Sequence, residues 1–427
     1  MIAVFVLILA LGLMTINLPI AFCTGLATAA GILVMGKFSL EILAQKMVTA
    51  LDSFTFIAIP LFILTGRLMA LGGITKDLIR LSTALVGFLR GGLAYINIVA
   101  SMFFAGITGS ASSDTASIGA ILIPAMIEKK YSKEFTVAVT ATSSTIGIVI
   151  PPSIPMVIYG VAAAESIGKL FLAGFIPGVM IGFALMLVTW IHSRKHNYPV
   201  ETTFNLKEIV ISILRSLPAL MTVVILLGGI ISGVFTPTEA AGIAVLYSFL
   251  LGLFYYRELK LKDIPGILLE VGITTGIVAL MIATATWMGY LFAIERVPHT
   301  ISQFIISLSS SKIVIILLIN VLLLFIGMWM DLAPAMIIFT PILLPIAQAI
   351  GINTVQFGII MVINLGIGLF TPPVGVCLFM ACAIAKTSIT SVIKDLFPFF
   401  LSMVIVLLLV SYIPSISLFL PSIFMGK

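Results

Sequence analysis

Five hydroxyl side chains and one aspartate lie together in "GSASSDTASIGAILIP", Gly109 to Pro124, directly after the apolar run "INIVASMFFAGIT". Small oxygen-bearing groups in apolar surroundings suit a hard, small cation such as Na⁺, and the free N–H groups of a helix that starts there suit a carboxylate. A second such place is "GMWMDLAPAMIIFTP", where Asp331 precedes Pro341 by the same separation as Asp114 precedes Pro124. Downstream of each aspartate stands Gly-x-x-x-Pro-Pro: "GIVIPP" (147–152) and "GLFTPP" (368–373). A proline removes a backbone donor and clashes with the preceding turn, so each doublet ends one helix, strands carbonyl oxygens and opens a second half-helix. The candidate cation ligands are therefore Thr108, Ser110 and Ser112, with carbonyls from Gly147 through Ile150 to Pro152. In the second half they are Gly327, Met330, Gly368 and Thr371. Candidate contacts for an anionic substrate are Ser112, Ser113, Asp114, Asp331, Pro152 and Pro373, at the two tips and the two proline breaks.

Plainer roles compete for several of these. Asp114 and Asp331 fit as N-caps of the helices that follow them, and Ser143 and Ser144 fit equally as packing residues between membrane helices. Arg67 in "LTGRLMALGG" fits the inner end of a span better than a substrate contact, and Glu239 fits as the cap of the helix opened by Pro237. His192, His196 and His299 fall at span ends, which disfavours a buried proton relay. Cys23, Cys377 and Cys382 lie in apolar segments without metal-ligand spacing, so neither a disulfide framework nor a metal centre is implied.

The elements that position these groups must span a membrane. Of 427 residues, 61% are hydrophobic and 9% charged, and the mean hydropathy is +1.29. A spanning helix needs roughly 20 apolar residues in a row, and the chain supplies such stretches almost end to end, without the alternation of a barrel. The fold class is all-α and polytopic, with about 11 spanning segments. "MIAVFVLILALGLM" lacks the charged start and cleavage site of a secretory signal, so it reads as a retained first span. The net charge of +6 reports on orientation, not on nucleic acid.

Basic clusters at 128–134, 192–198 and 255–263, with Lys386 and Lys394, mark the cytoplasmic side. Between them lie spans near 136–165, 170–192, 208–235, 240–255, 265–292, 355–385 and 397–421, preceded by 2–16, 18–35 and 54–72. Both termini then face outside, with Lys37 and Lys46 on the less favoured side. Residues 39–52 and 76–90 read as amphipathic helices in the lipid interface. Residues 92–128 and 313–350 each start and end on one side, inside for the first and outside for the second. Re-entrant hairpins satisfy that count, with irregular tips tolerable only where buried in protein or lining a wet cavity. Residues 1–200 and 201–427 therefore form two inverted repeats, each with a hairpin and a broken helix (136–165 and 355–385), the arrangement of secondary transporters.

The phrases "GSASSDTASIGAILIPAM", "IGIVIPPSIPMVIYG", "GVFTPTEAAGIAV", "GMWMDLAPAMIIFTPILLP" and "FTPPVGVCLF" cover both halves. Together they resemble the large membrane subunit of tripartite ATP-independent periplasmic (TRAP) transporters, the DctM-like proteins. The resemblance implies a bacterial inner-membrane importer of organic anions coupled to two or more Na⁺ ions, with no organic cofactor and no enzyme activity. It implies a periplasmic substrate-binding protein, a small four-helix membrane subunit on a separate chain, and an elevator-type movement of a transport unit against a scaffold. Ion sites carry over to the tips at 108–114 and 327–331 and the breaks at 147–152 and 366–373. Substrates of the family include sialic acid and C4-dicarboxylates, and no residue here selects between them. A stand-alone Na⁺/dicarboxylate symporter, an intramembrane hydrolase using the two aspartates, and a passive channel are the rival readings. Dependence on a binding protein, the distance between the aspartates, and uptake against a gradient separate them.

Overall fold

The computed structural model describes residues 2–16, 18–36, 40–296 and 311–426; Lys37, His299 and Lys427 fall outside them. Every regular element among these residues is helical. The first half runs α1 (Ile2–Thr15), α2 (Ile20–Met35), α3 (Leu40–Leu51), α4 (Ala58–Leu71) and α5 (Ile74–Val86), then α6 (Gly92–Thr108), α7 (Ala111–Glu128), α8 (Lys133–Ser143), α9 (Ile154–Ala163) and α10 (Ile167–His196). The second half runs α11 (Leu206–Ile231), α12 (Pro237–Leu250) and α13 (Ile264–Ile294), then α14 (Lys312–Trp329), α15 (Leu332–Ala349), α16 (Thr354–Gly368), α17 (Val376–Ala385), α18 (Ile389–Tyr412) and α19 (Pro414–Phe424). Among the described residues eight helices are long and apolar enough to cross a membrane, α14 and α15 among them, and the shorter apolar helices are α2, α6, α9, α16, α17 and α19.

Local chemistry sets the boundaries. Pro19 separates α1 from α2, and Ser132, Ser166 and Asn205 each cap the helix that follows by accepting a backbone N–H. At α12 the Thr236 hydroxyl accepts from the Glu239 N–H (3.3 Å) while Glu239 Oε2 accepts from the Thr236 N–H (2.8 Å), the capping role expected of Glu239. The last segment, expected as one span over 397–421, is divided: α18 stops at Tyr412, and Pro414 opens α19. A residue before proline is pushed out of the helical region, and Ile413 accordingly sits at φ −116°.

The two hairpins are α6–α7 and α14–α15, and the two broken segments are α8–α9 and α16–α17. Each helix after a break has ten residues. The halves interlock by exchange. Helix α2 packs on α13 and α4 on α12; α7 packs on α17 and α15 on α9; α8 packs on α18 and α16 on α10. Pairing α2 with α12, α4 with α13, α10 with α18, and each hairpin and broken helix with its counterpart maps every one of these contacts onto another, as two intertwined copies of one unit require.

Within each half, buried amides fasten the first hairpin arm to the first part of the broken helix. Asn97 on α6 donates to the Thr140 hydroxyl (2.7 Å) and accepts from Ser143 (3.2 Å), both on α8. Asn364 on α16 donates to the side chain (2.9 Å) and backbone (3.0 Å) carbonyls of Asn320 on α14, whose amide reaches Ser411 on α18 (3.1 Å). Apolar surface gives helices little reason to associate in lipid, so such bonds hold them together. Asn364→Leu should destabilise the purified protein by about 1–2 kcal/mol, read as a lowered thermal midpoint in detergent. Ser402→Ala, which removes only a bond to Phe399 on its own helix, is the control; equal midpoints for both variants would contradict this role.

Candidate functional site

In each half the hairpin tip meets the helix break through backbone groups. The Ile154 N–H, at the start of α9, donates to the Gly109 carbonyl (3.3 Å), and the Val374 N–H, just before α17, donates to the Met328 carbonyl (3.3 Å). Both X-Pro bonds Pro151–Pro152 and Pro372–Pro373 are cis. Gly109 turns the chain between α6 and α7 at φ +59°, and a Cβ there would lie 2.7 Å from the Pro152 carbonyl oxygen. A Cβ on Gly368 would collide with the Gly327 carbonyl. Glycines at 109, 327 and 368 let backbone meet backbone.

Between the tips and the paired helices α4 and α13 lies a cavity of ≈ 500 Å³. Four helix N-termini surround it. Ser110 caps α7, its Oγ accepting from the Ser113 N–H (3.5 Å). Asp331 caps α15, accepting from the Leu332 N–H (2.9 Å). Ser153 caps α9, accepting from Met156 (3.2 Å) and donating to the Ile148 carbonyl (2.5 Å). Helix α17 begins at Val376, which with Cys377 lines the cavity. Each N-terminus carries free N–H donors and about half a unit of positive charge.

Of the residues singled out from the sequence, Thr108, Ser110, Ser112, Ser113 and Asp331 line this cavity. Ser112 is exposed to it and shares a hydrogen bond with Ser110 (3.2 Å). Gly147 packs under the Ser110 backbone and the Pro152 carbonyl abuts Gly109, so Thr108, Ser110, Gly147 and Pro152 form one oxygen-rich cluster. Gly327 and Gly368 touch at the second tip, where the Thr371 hydroxyl donates to the Ile367 carbonyl (2.6 Å) and the Met330 N–H to the Ile326 carbonyl (2.9 Å). The Ile150 side chain turns away to pack on Gly178 of α10.

Three expectations need correction. Asp114 does not cap α7, because Ser110 lies one helical turn earlier and takes that place; Asp114 falls inside the first turn, fully buried and away from the cavity. The Ser101 hydroxyl of α6 is the donor beside its carboxylate, outside ideal hydrogen-bond geometry. Pro373 is exposed outside the cavity and Pro152 is buried behind it, so neither lines the space assigned to the substrate. Arg67, read as marking the end of a span, instead lines the cavity from α4 and pairs with Glu270 of α13. That pairing joins residues far apart in sequence and left no local signal. Ser143 serves the contact between α6 and α8, and Ser144 donates to the Thr140 carbonyl (2.8 Å) within its own turn.

Residues 6–416 match the family described as "Tripartite ATP-independent periplasmic transporter, DctM component". An isethionate TRAP transporter permease protein, DctMQ, of Oleidesulfovibrio alaskensis is 43% identical over 95% of this chain, which spans 64% of that longer relative. The sialic acid TRAP transporter large permease protein SiaM of Vibrio cholerae is 37% identical over 97% of both chains. The crystal structure of the YdaH transporter of Alcanivorax borkumensis shares the fold, with a TM-score of 0.59 and 15% identity over 87% of this chain and 88% of that one. Two tip-to-break contacts around one cavity, in a multi-pass helical protein, thus coincide with a match along almost the whole sequence: the chain belongs to the DctM-component family of TRAP transporters.

Proposed function

We propose that this large permease imports an organic anion with an inward flow of Na⁺, taking its substrate from a periplasmic binding protein and working beside a small membrane subunit. The observation that carries the reading is the convergence of four helix N-termini on one cavity whose walls also hold carbonyl and hydroxyl oxygens. Donor-rich N-termini favour a carboxylate or sulfonate, and the oxygen clusters at the tips favour Na⁺. Arg67 and Asp331 are the one basic and the one acidic side chain lining the cavity among the described residues. The Asp331 carboxylate gives an entering cation a counter-charge beside the anion, which supports their moving together. Isethionate carries a sulfonate and sialic acid and C4-dicarboxylates carry carboxylates, the two kinds of acidic group that such a site suits.

The exchanged packing also supports an elevator. Hairpins, broken helices, α10 and α18 form one interlocked unit, and α2, α4, α12 and α13 pair as a frame beside it. The two meet at Gly66 of α4, where a Cβ would lie 2.9 Å from the Thr108 carbonyl oxygen. On this reading both termini lie on the periplasmic side of the inner membrane, which the distribution of basic residues supports.

Proteoliposomes containing the chain and its small subunit test the function with labelled isethionate, sialic acid and succinate. Accumulation of one of these that needs both an inward Na⁺ gradient and the cognate binding protein is expected; accumulation without Na⁺, or without the binding protein, contradicts the proposal. Ser112→Ala should shift the Na⁺ activation curve to about fivefold higher concentration, the loss of one ordinary hydrogen-bonding ligand; an unshifted curve removes Ser112 from the ion site. Gly66→Leu should reduce uptake by roughly tenfold through overpacking against the tip while the complex assembles normally; wild-type uptake would show that α4 and the tip do not meet during the cycle.

A further inference from the structure

We infer that Arg67 recognises the acidic group of the substrate from the frame side of the cavity, and that Glu270 is the counter-ion it releases on binding. The inference rests on the anion-import reading above and names the side chain that reads the anion.

Arg67 lines the cavity and Glu270 does not; Glu270 lies one helical turn before Thr274, which does, and whose hydroxyl donates to the Glu270 carbonyl (2.9 Å). Nη2 of Arg67 donates to Glu270 Oε1, while Nε and Nη1 have no partner among the described residues. A guanidinium presents five donors in a planar fork that matches carboxylate and sulfonate oxygens. Donors therefore remain for a ligand even before Glu270 lets go.

The pair is also open to exchange. Its side chains are 40% and 49% exposed, so a ligand can reach the guanidinium, and replacing one carboxylate by another acidic group keeps its charge paired. A purely structural role for the pair is poorly supported, because α4 and α13 already pack along each other.

Position adds a second argument. Gly66, the preceding residue, touches the backbone of Thr108 in the first tip. Asp331 at the second tip lines the same cavity. An anion held by Arg67 therefore shares the cavity with the hydroxyls of the first tip and with a carboxylate that a cation must offset. Arg67 supplies the one side-chain positive charge lining the cavity that does not depend on bound ions.

Equilibrium binding of labelled isethionate, sialic acid or succinate to the detergent-purified complex in saturating Na⁺ tests this, using whichever anion the wild type binds. Arg67→Gln should weaken binding by at least about tenfold, the loss of a charge-assisted hydrogen bond, with an unchanged thermal midpoint. Arg67→Lys should weaken it less, and Glu270→Gln should tighten it, since the competing carboxylate is gone. The double variant Arg67→Gln with Glu270→Gln separates recognition from structure: recognition requires it to bind as weakly as Arg67→Gln alone. Wild-type affinity in the double variant, or an unchanged affinity in Arg67→Gln, overturns the inference while leaving anion import intact. A wild-type complex that binds none of the three anions overturns the import reading, and this inference with it.

Discussion

The structure depends on one constraint: no backbone polar group can stay unpaired at membrane depth. Each proline doublet breaks a helix where water is scarce, and each break is made tolerable by a hairpin tip brought against it. The Ile154 N–H finds the Gly109 carbonyl and the Val374 N–H finds the Met328 carbonyl. Neither hairpin nor broken helix is stable in lipid without the other. Gly109 and Gly368 admit the contact because no side chain stands between the backbones, and the buried amides at Asn97 and Asn364 hold the same two elements together farther along.

Function follows from what the solution leaves over. A helix start within the membrane has more N–H groups than a single tip can pair, and a helix end has more carbonyls. Placed together twice by the repeat, the surplus donors and acceptors line one cavity, which is the basis for proposing that an anion and small cations bind there. The exchanged packing joins the halves: α7 lies on α17 and α15 on α9, so each hairpin rests on the half-helix of the other repeat.

Much of this was legible in the chain. The matched Asp-to-Pro spacing and the two Gly-x-x-x-Pro-Pro segments located both tips and both breaks, and Pro237 followed by Glu239 announced a capped helix. What failed was local competition and long-range pairing. Ser110 and Asp114 are both good capping residues, and only the geometry of the turn after Gly109 decides for Ser110. Arg67 meets Glu270 through the packing of α4 on α13, and Asn320 meets Asn364 through that of α14 on α16; neither pairing has a period or spacing that a sequence displays. The final span was read through Pro414 because its composition stays apolar on both sides, while the backbone at Ile413 obeys the proline.

The most direct test of the central claim is a density map of the chain with its small subunit in lipid, saturated with Na⁺ and a transported anion. The account predicts the anion between the N-termini of α7, α9, α15 and α17, with ion density at the oxygen cluster around Ser110 and Gly147. An anion bound elsewhere, for instance in the smaller cleft beside Arg80 and Glu208, with the central cavity empty under the same conditions, would contradict it.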